Sequence, residues 1–254
     1  MTHILTTTTL VTLATAVLVI EVLYSIHKDD GAYSYSGTLN NFLRGGILIL
    51  ISIILIHFFT IFFTYLSRLL HETTPPTTFT TFLVSLIFCD FMYYIFHRLH
   101  HKLPFLRQLH TVHHSDTKFN LSTAFRISWL EQSYILFFLT PVILVGFSPK
   151  LVFLNALFLV TYQLICHSHY LRLPKLLNYL LVTPSSHKTH HDQRKENQNS
   201  NYGAIFTIWD RMFCTYTAPK KYHVFGIQDY VEDNFITMET KPVISYFTKY
   251  HGGN

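Results

Sequence analysis

The chain has 254 residues, 49% of them hydrophobic and 16% aromatic, with only 13% charged, against roughly 25% charged in ordinary soluble domains. With a mean hydropathy of +0.26, this composition points to an integral membrane protein. The net charge of +5 is scattered among aromatics and histidines, which argues against nucleic acid as a partner and fits membrane topology or attraction to anionic lipid.

Five apolar segments follow one another. The first runs over about Ile4–Ile26 and is rich in Leu, Val and Thr. It has no basic leading region and no small-residue cleavage site, so it is expected to be a retained helix and not a signal peptide. The second covers Gly45–Leu66 and the third Thr78–Phe96; all three approach the ~20 residues a spanning helix needs. The fourth (Trp129–Phe147) and fifth (Leu151–Cys166) are shorter and joined only by Ser148-Pro149-Lys150. They predict a helical hairpin that either spans or dips in. The fold class expected is all-α, a multi-pass bundle of four to five membrane helices capped by a histidine-rich helical layer.

Orientation follows from lysine and arginine. Arg98, Lys102, Arg107, Lys118 and Arg126 follow the third segment, and Arg172, Lys175, Lys188, Arg194 and Lys195 follow the fifth. Both stretches are expected on the cytoplasmic side, of a bacterial inner membrane or the endoplasmic reticulum. The polar run His191–Asn201 reads as a solvated loop, and the stretch after Pro219 as a cytoplasmic extension. Three units are expected: residues 1–76 as N-terminal membrane helices, 77–218 as the catalytic unit and 219–254 as a tail.

The chemistry lies in the histidines. Eleven of 17 fall between His97 and His191, while there are 14 acidic residues and three scattered cysteines, Cys89, Cys166 and Cys214. Without a CxxC pair, a disulfide framework, zinc ribbon or iron–sulfur cluster is not expected. On a helix, His97 and His101 share a face, as do His110, His113 and His114, and again His187, His190 and His191. Thr183-Pro184 reads as an N-cap followed by proline at the first helical position, opening the helix of the third cluster.

Asp90 and Tyr94 lie on the same stripe as His97 and His101, so Asp90 is expected to accept the N–H of a metal-bound histidine. His167, at the end of the fifth segment, is expected to join the ligands; His100 and His169 are not. His57, inside an apolar run, is expected to be neutral and hydrogen-bonded. So many imidazoles exceed the needs of one tetrahedral zinc, which takes three or four ligands. They suit two ions, and a pair of irons can activate dioxygen.

The spacing HxxxH, HxxHH, HxxHH resembles that of the fatty acid hydroxylase/sterol desaturase superfamily, which are integral-membrane di-iron oxygenases. The flanks carry the resemblance too: Asp90 to Arg98 around the first box, Asn120-Leu-Ser-Thr-Ala-Phe-Arg126 after the second, and Asn201-Tyr-Gly with Trp209-Asp-Arg after the third. It covers roughly Phe79 to Tyr216 and is most similar to the alkylglycerol monooxygenase branch. Lys102 departs from that branch, whose animal members carry an acidic residue there.

The resemblance implies metal ligands at His97, His101, His110, His113, His114, His167, His187, His190 and His191, with Asp90, Tyr94, Asn120, Arg126, Asn201 and Trp209 around them. It implies two iron ions, O2 as co-substrate, a membrane lipid as substrate, and a separate electron donor, either tetrahydrobiopterin or an electron-transfer protein. The activity implied is hydroxylation or desaturation of a fatty acyl, sterol-like or ether lipid. Tyr93, Tyr94, Tyr134 and Phe138 are candidates to line the lipid cavity. The alternatives are a zinc-dependent membrane hydrolase, which would want an HExxH-type base, or a non-catalytic metal or haem protein.

Overall fold

The computed structural model describes residues 2–227 and 234–251, and these form helices joined by short connections, with one isolated bridge between Leu181 and Phe206. Helix α1 covers Thr2–Lys28, α2 Tyr35–Leu70 and α3 Phe79–Lys102. Thr78 caps α3 through a reciprocal pair of contacts with Thr81, satisfying first-turn donors that would otherwise be left open. Pro104 then sits at the first position of α4 (Pro104–His114), and Leu103 serves both as the end of α3 and the start of α4. Proline lacks the N–H a continuing helix would need. The chain therefore turns sharply there and folds the second histidine cluster back onto the first.

After a 3₁₀ turn at Leu121–Phe125, the expected fourth apolar helix is broken into α5 (Trp129–Tyr134), a 3₁₀ turn (Ile135–Leu139) and α6 (Thr140–Leu144). Pro141 stands in the first turn of α6 and lacks the N–H that a continuing α-helix would donate to the preceding turn, so the run does not continue as one regular helix. Helix α7 (Pro149–Cys166) begins at a Ser148 cap. A 3₁₀ turn at Lys175–Tyr179 leads to α8 (Pro184–His190), then α9 (Ile208–Met212) and α10 (Phe235–His251).

Among the described residues, α2, α3 and α7 are long and apolar enough to cross a membrane. Their apolar residues face mostly outward, as Ile53, Ile54 and Ile61 of α2 show. A water-soluble protein buries such a face, whereas a bilayer solvates it. The inward faces meet in a core that includes Phe59, Phe63, Leu86, Leu139, Val152 and Leu159. His57, expected to be neutral and hydrogen-bonded within an apolar run, lies exposed on α2: at that turn the helix presents its outer face.

At 36 residues, α2 would extend about 54 Å, more than the ~30 Å of a hydrocarbon core. Its first turns project beyond the apolar part, and there Asn41 and Arg44 are buried. Asn41 donates to Asp116 and Ser122, while Arg44 pairs with Glu239 of α10 at 2.5 Å. The stretch after Pro219 is therefore no free extension where it is described, because Met238 is fully buried and Glu239 also accepts from Ser128 and the Trp129 amide. Residues 228–233 and 252–254 of that stretch lie outside the described residues.

The far end of α1 is held by a buried carboxylate. Glu21 accepts from Tyr33 Oη at 2.8 Å, the Leu121 amide at 3.3 Å, the His169 amide at 3.1 Å, and Ser168. Helix α1 is thereby tied to three segments of the chain at once.

Candidate metal centre

The α3–α4 turn, the end of α7 and α8 bring nine histidines into two groups. His97, His101, His110, His114 and His190 form one; His113, His167, His187 and His191 form the other, and within each the candidate ligand atoms lie within 4.8 Å of one another. All but the half-buried His114 are buried. These are the nine histidines singled out from the sequence. The third cluster is placed by α8, whose first turn is closed by Thr183 and Ser186 in a reciprocal cap.

The hydrogen bonds decide which ring nitrogen faces inward. Nδ1 donates to a backbone carbonyl in His97 (Tyr202, 3.0 Å), His101 (Gln198, 2.9 Å), His113 (Arg126, 3.2 Å), His167 (Gln163, 2.8 Å) and His190 (Ser200, 2.6 Å). In His110 it donates to the Glu131 carboxylate at 3.1 Å. A carbonyl or carboxylate only accepts, so in these rings the proton is on Nδ1 and Nε2 carries a lone pair.

These lone pairs converge without partners. The Nε2 atoms of His97 and His110 stand 3.1 Å apart and those of His113 and His167 3.3 Å. Nε2 of His101, His114 and His190 is buried with no hydrogen bond. Two facing lone pairs repel, and each buried orphan costs roughly 1–3 kcal/mol. A cation between them reverses both terms, and ligands about 2.1 Å from a shared ion stand about 3.0–3.4 Å apart at ordinary coordination angles. The donor set fits a metal.

Burial keeps six of the candidate ligands outside the spanning helices neutral. It pushes His113, His114, His187 and His191 well below the ordinary imidazole range, helped by neighbouring imidazoles that could not all be charged. His167 is lowered to about 4 and His190 to about 3, chiefly by burial. Neutral imidazole is the ligating form.

Three expectations need correcting. Asp90 touches no histidine. It accepts from the Ile205 amide (2.7 Å), the Phe206 amide (3.3 Å) and Trp209 Nε1 (2.8 Å). Its helix stripe was read correctly, but the turn at 204–209 fills the space beside it. Tyr94 is directed away as well, to Thr215 and Arg98. The polar run after His191 is solvated only in part: Lys195, Glu196 and Asn199 are exposed, but Asn197, Ser200 and Asn201 are buried, and its carbonyls orient His101 and His190. Composition could not reveal this, since it is backbone oxygen that meets the rings.

The remaining residues hold the frame. Asn120 caps the 3₁₀ turn at Leu121–Phe125 and donates to Ala32. Arg126 reaches His113 through its carbonyl, while its guanidinium binds Ser115 and Asn41. Asn201, in the left-handed region at φ 58°, ties Ser186 of α8 to Thr217. At Gly203, where a Cβ would meet the Phe206 carbonyl at 2.4 Å, the chain turns tightly beneath the site. His100 uses both nitrogens, donating to Phe96 and accepting from Tyr134, and stays outside both groups. His169 donates to Phe119 and also stays outside.

Glu131 was missed. Its only sequence signal is an acidic residue opening an apolar run. It orients His110 and also lines a cavity of about 470 Å³ whose walls include α1, α2, α3 and α7. The cavity wall is mainly apolar (Leu18, Leu48, Ile135 and Leu164 among others) and it ends on His97, His110, His113 and His167. It thus touches both histidine groups. Tyr93 lines it, but Tyr134 does not, being turned to His100, and Phe138 packs in the core.

Replacing Glu131 by leucine removes the group that holds the His110 tautomer. Metal affinity or activity should fall about 10–100-fold, with glutamine at the same position restoring part of it. Titration of the apoprotein with metal, followed optically, reads this directly; unchanged affinity in Glu131→Leu would show that His110 needs no such partner.

The family model described as fatty acid hydroxylase matches residues 82–215, more than half of the chain. An alkylglycerol monooxygenase of Caenorhabditis elegans is 36% identical over 141 residues, 55% of this chain and 28% of that protein. Its Homo sapiens counterpart is 34% identical over 139 residues, 54% of this chain and 31% of that protein. A cholesterol 25-hydroxylase-like protein of Danio rerio is 33% identical over 136 residues, 51% of this chain and 53% of that protein. The matches thus span about a third to a half of these relatives. No solved structure matches.

Proposed function

The chain belongs to the fatty acid hydroxylase family, and from that premise we propose that it is a membrane-bound lipid hydroxylase working with two iron ions, O2 and an external reductant. The observation that carries this reading is the apolar cavity closed at one end by histidines of both groups. Its volume of about 470 Å³ falls in the range of sites that enclose a small hydrophobic ligand.

The five-histidine group would hold one iron and the four-histidine group the other. When bound, the irons supply O2 activation, with two external electrons and two protons balancing conversion of a C–H bond and O2 to an alcohol and water. The rest falls to the chain. The walls contributed by α1, α2 and α7 exclude water and align a hydrocarbon chain along the cavity. Tyr93, Phe96 and Phe125 narrow the approach to the histidines. Gln132, held by Ser52 at 2.8 Å, offers the wall a fixed amide beside Glu131. The carbonyls of 198–202 keep the ligand rings from rotating, so the C–H bond presented is set by how deep the lipid enters.

The lysines and arginines that flank the histidine clusters support a cytoplasmic orientation by the positive-inside rule, where a soluble or membrane-associated donor can deliver electrons. A hydrolytic zinc site needs a free carboxylate base beside an open metal position. Among the described residues the cavity's carboxylate is Glu131, already engaged by His110, which weighs against that reading.

The test is expression of the full chain in a host lacking it, with lipid extraction under ¹⁸O2. A lipid gaining one ¹⁸O atom, together with iron in the purified protein, is the expected result. Products formed equally without O2, or carrying oxygen from water, would overturn it. An unlabelled product lacking two hydrogens would reassign the enzyme to desaturation.

A further inference from the structure

Beside α3 and α7, a stretch of chain that crosses no membrane exposes large apolar side chains. Leu176 is 75% exposed, Leu180 70% and Met212 61%, with Tyr179 and Ile208 beside them. They belong to the 3₁₀ turn Lys175–Tyr179, the bridge at Leu181–Phe206 and α9. A water-facing surface rarely gathers so many large apolar side chains.

Its place along the spanning helices explains it. Asp90 of α3 holds Ile205, Phe206 and Trp209. Asp90 lies seven residues before His97, so this turn sits about 10 Å along α3 from the histidines, toward the bilayer. Helix α7 agrees: Tyr162 Oη donates to the Val182 carbonyl at 2.7 Å, and Gln163 donates to the Ala204 carbonyl. Between Phe79 and Phe96, α3 carries no charged side chain but Asp90, so the level is within its apolar length.

Cations rim the patch, as at a lipid headgroup. Arg172 and Lys175 are exposed at its edge. The Arg211 guanidinium lies over the Tyr216 and Tyr179 rings at 3.9 and 5.1 Å while remaining exposed. Long basic side chains reach a phosphate layer while their stems stay in apolar surroundings.

We infer that the 171–181 segment and α9 are seated in the leaflet on the histidine side. Leu176, Leu180, Ile208 and Met212 would lie among acyl chains, and Arg172, Lys175 and Arg211 at the lipid phosphates. The segment is monotopic: it enters and leaves on one side. All its backbone groups then need partners inside protein, and the pairing supplies several, with Val182 N donating to Ile205 O at 2.7 Å and Thr207 N to Leu180 O at 3.0 Å. The seat also bears on the third histidine box, because the Asn178 side chain accepts from Thr183 Oγ1, the cap of α8, at 2.5 Å.

This inference rests on the membrane reading of the fold, and the test separates the two. In a Cys214→Ser background, where the remaining Cys89 and Cys166 are buried, Leu180→Cys and Ile208→Cys are made separately and labelled with an environment-sensitive fluorophore. Ile53→Cys on the outer face of α2 and Lys195→Cys in the exposed part of the polar run serve as references. The full chain is reconstituted in phosphatidylcholine vesicles with or without brominated acyl chains. Labels at 180 and 208 should lose fluorescence to brominated lipid as far as the label at 53 does, and resist aqueous iodide, which should quench 195. Iodide quenching at 180 and 208 with lipid quenching at 53 overturns this inference alone. Iodide quenching at 53 as well overturns the membrane reading, and this inference with it.

Discussion

Replacing His113 by alanine is expected to remove O2-dependent lipid oxidation to the detection limit and to lower the iron bound per chain. His113 belongs to the four-histidine group, with its Nε2 3.3 Å from that of His167, and it also lines the cavity. Its loss leaves that group with three histidines at the point where lipid would meet metal. Groups that act as one catalytic unit fail together when one is removed. The variant also opens a void and orphans the Arg126 carbonyl, so a fall in activity could come from misfolding. His113→Gln retains volume and a polar end, and separates the two causes. It should fold with a thermal midpoint near the parent's and still be inactive and metal-poor. Retained oxygen-dependent product in either folded variant would sink the assignment of this histidine as a ligand.

Asp90→Ala is expected to produce the largest loss of stability. The carboxylate is fully buried and accepts three hydrogen bonds from a turn that has no water to turn to. Each of the three orphaned donors costs roughly 1–3 kcal/mol, so the total is about 3–9 kcal/mol, a large share of a usual folding free energy of about 5–15 kcal/mol. For a chain of this size, at about 2–4 °C per kcal/mol, that corresponds to a fall of roughly 6 °C or more in thermal midpoint. The turn it holds continues into Tyr202, whose carbonyl orients His97, so activity should fall too, through mispositioning. A thermal midpoint within about 1 °C of the parent's would show that Asp90 is not the fastener of this turn. Asp90→Asn should be intermediate, since its carbonyl oxygen can still accept while its amide faces donors.

Asp90 also shows where sequence reasoning stopped. Its helix stripe and its cost inside an apolar run were legible, and both required a partner. The partner chosen was the nearest histidine one face down, because a helix periodicity sees only its own helix. The true partners come from residues more than a hundred positions later, which periodicity on α3 cannot register. Glu131 failed for the opposite reason. It stands in a broken helical run with no partner at regular spacing, and only the fold of α4 against α5 brings it to His110.

The membrane helices were legible for a simpler reason. Apolar length is a local property, and the hydrocarbon core requires it directly. Where a local rule opposed it, as at Pro141, the expected helix broke. The loop after His191 was misread because composition measures side chains, and here the backbone does the binding.

The sequence by itself determined the chemistry: nine imidazoles at i, i+3 and i+4 spacing, on helices whose starts and stops are written in Thr78, Pro104 and Thr183. These are short-range facts, set by helix geometry and capping within a few residues. Only the tertiary structure decided how they divide. It put five histidines in one group and four in the other, turned Nδ1 toward carbonyls and Glu131 so that Nε2 faces inward, and ended an apolar cavity on both groups. Those are contacts between residues far apart in the chain, and they depend on how α3, α4, α7 and α8 pack, which no local pattern encodes.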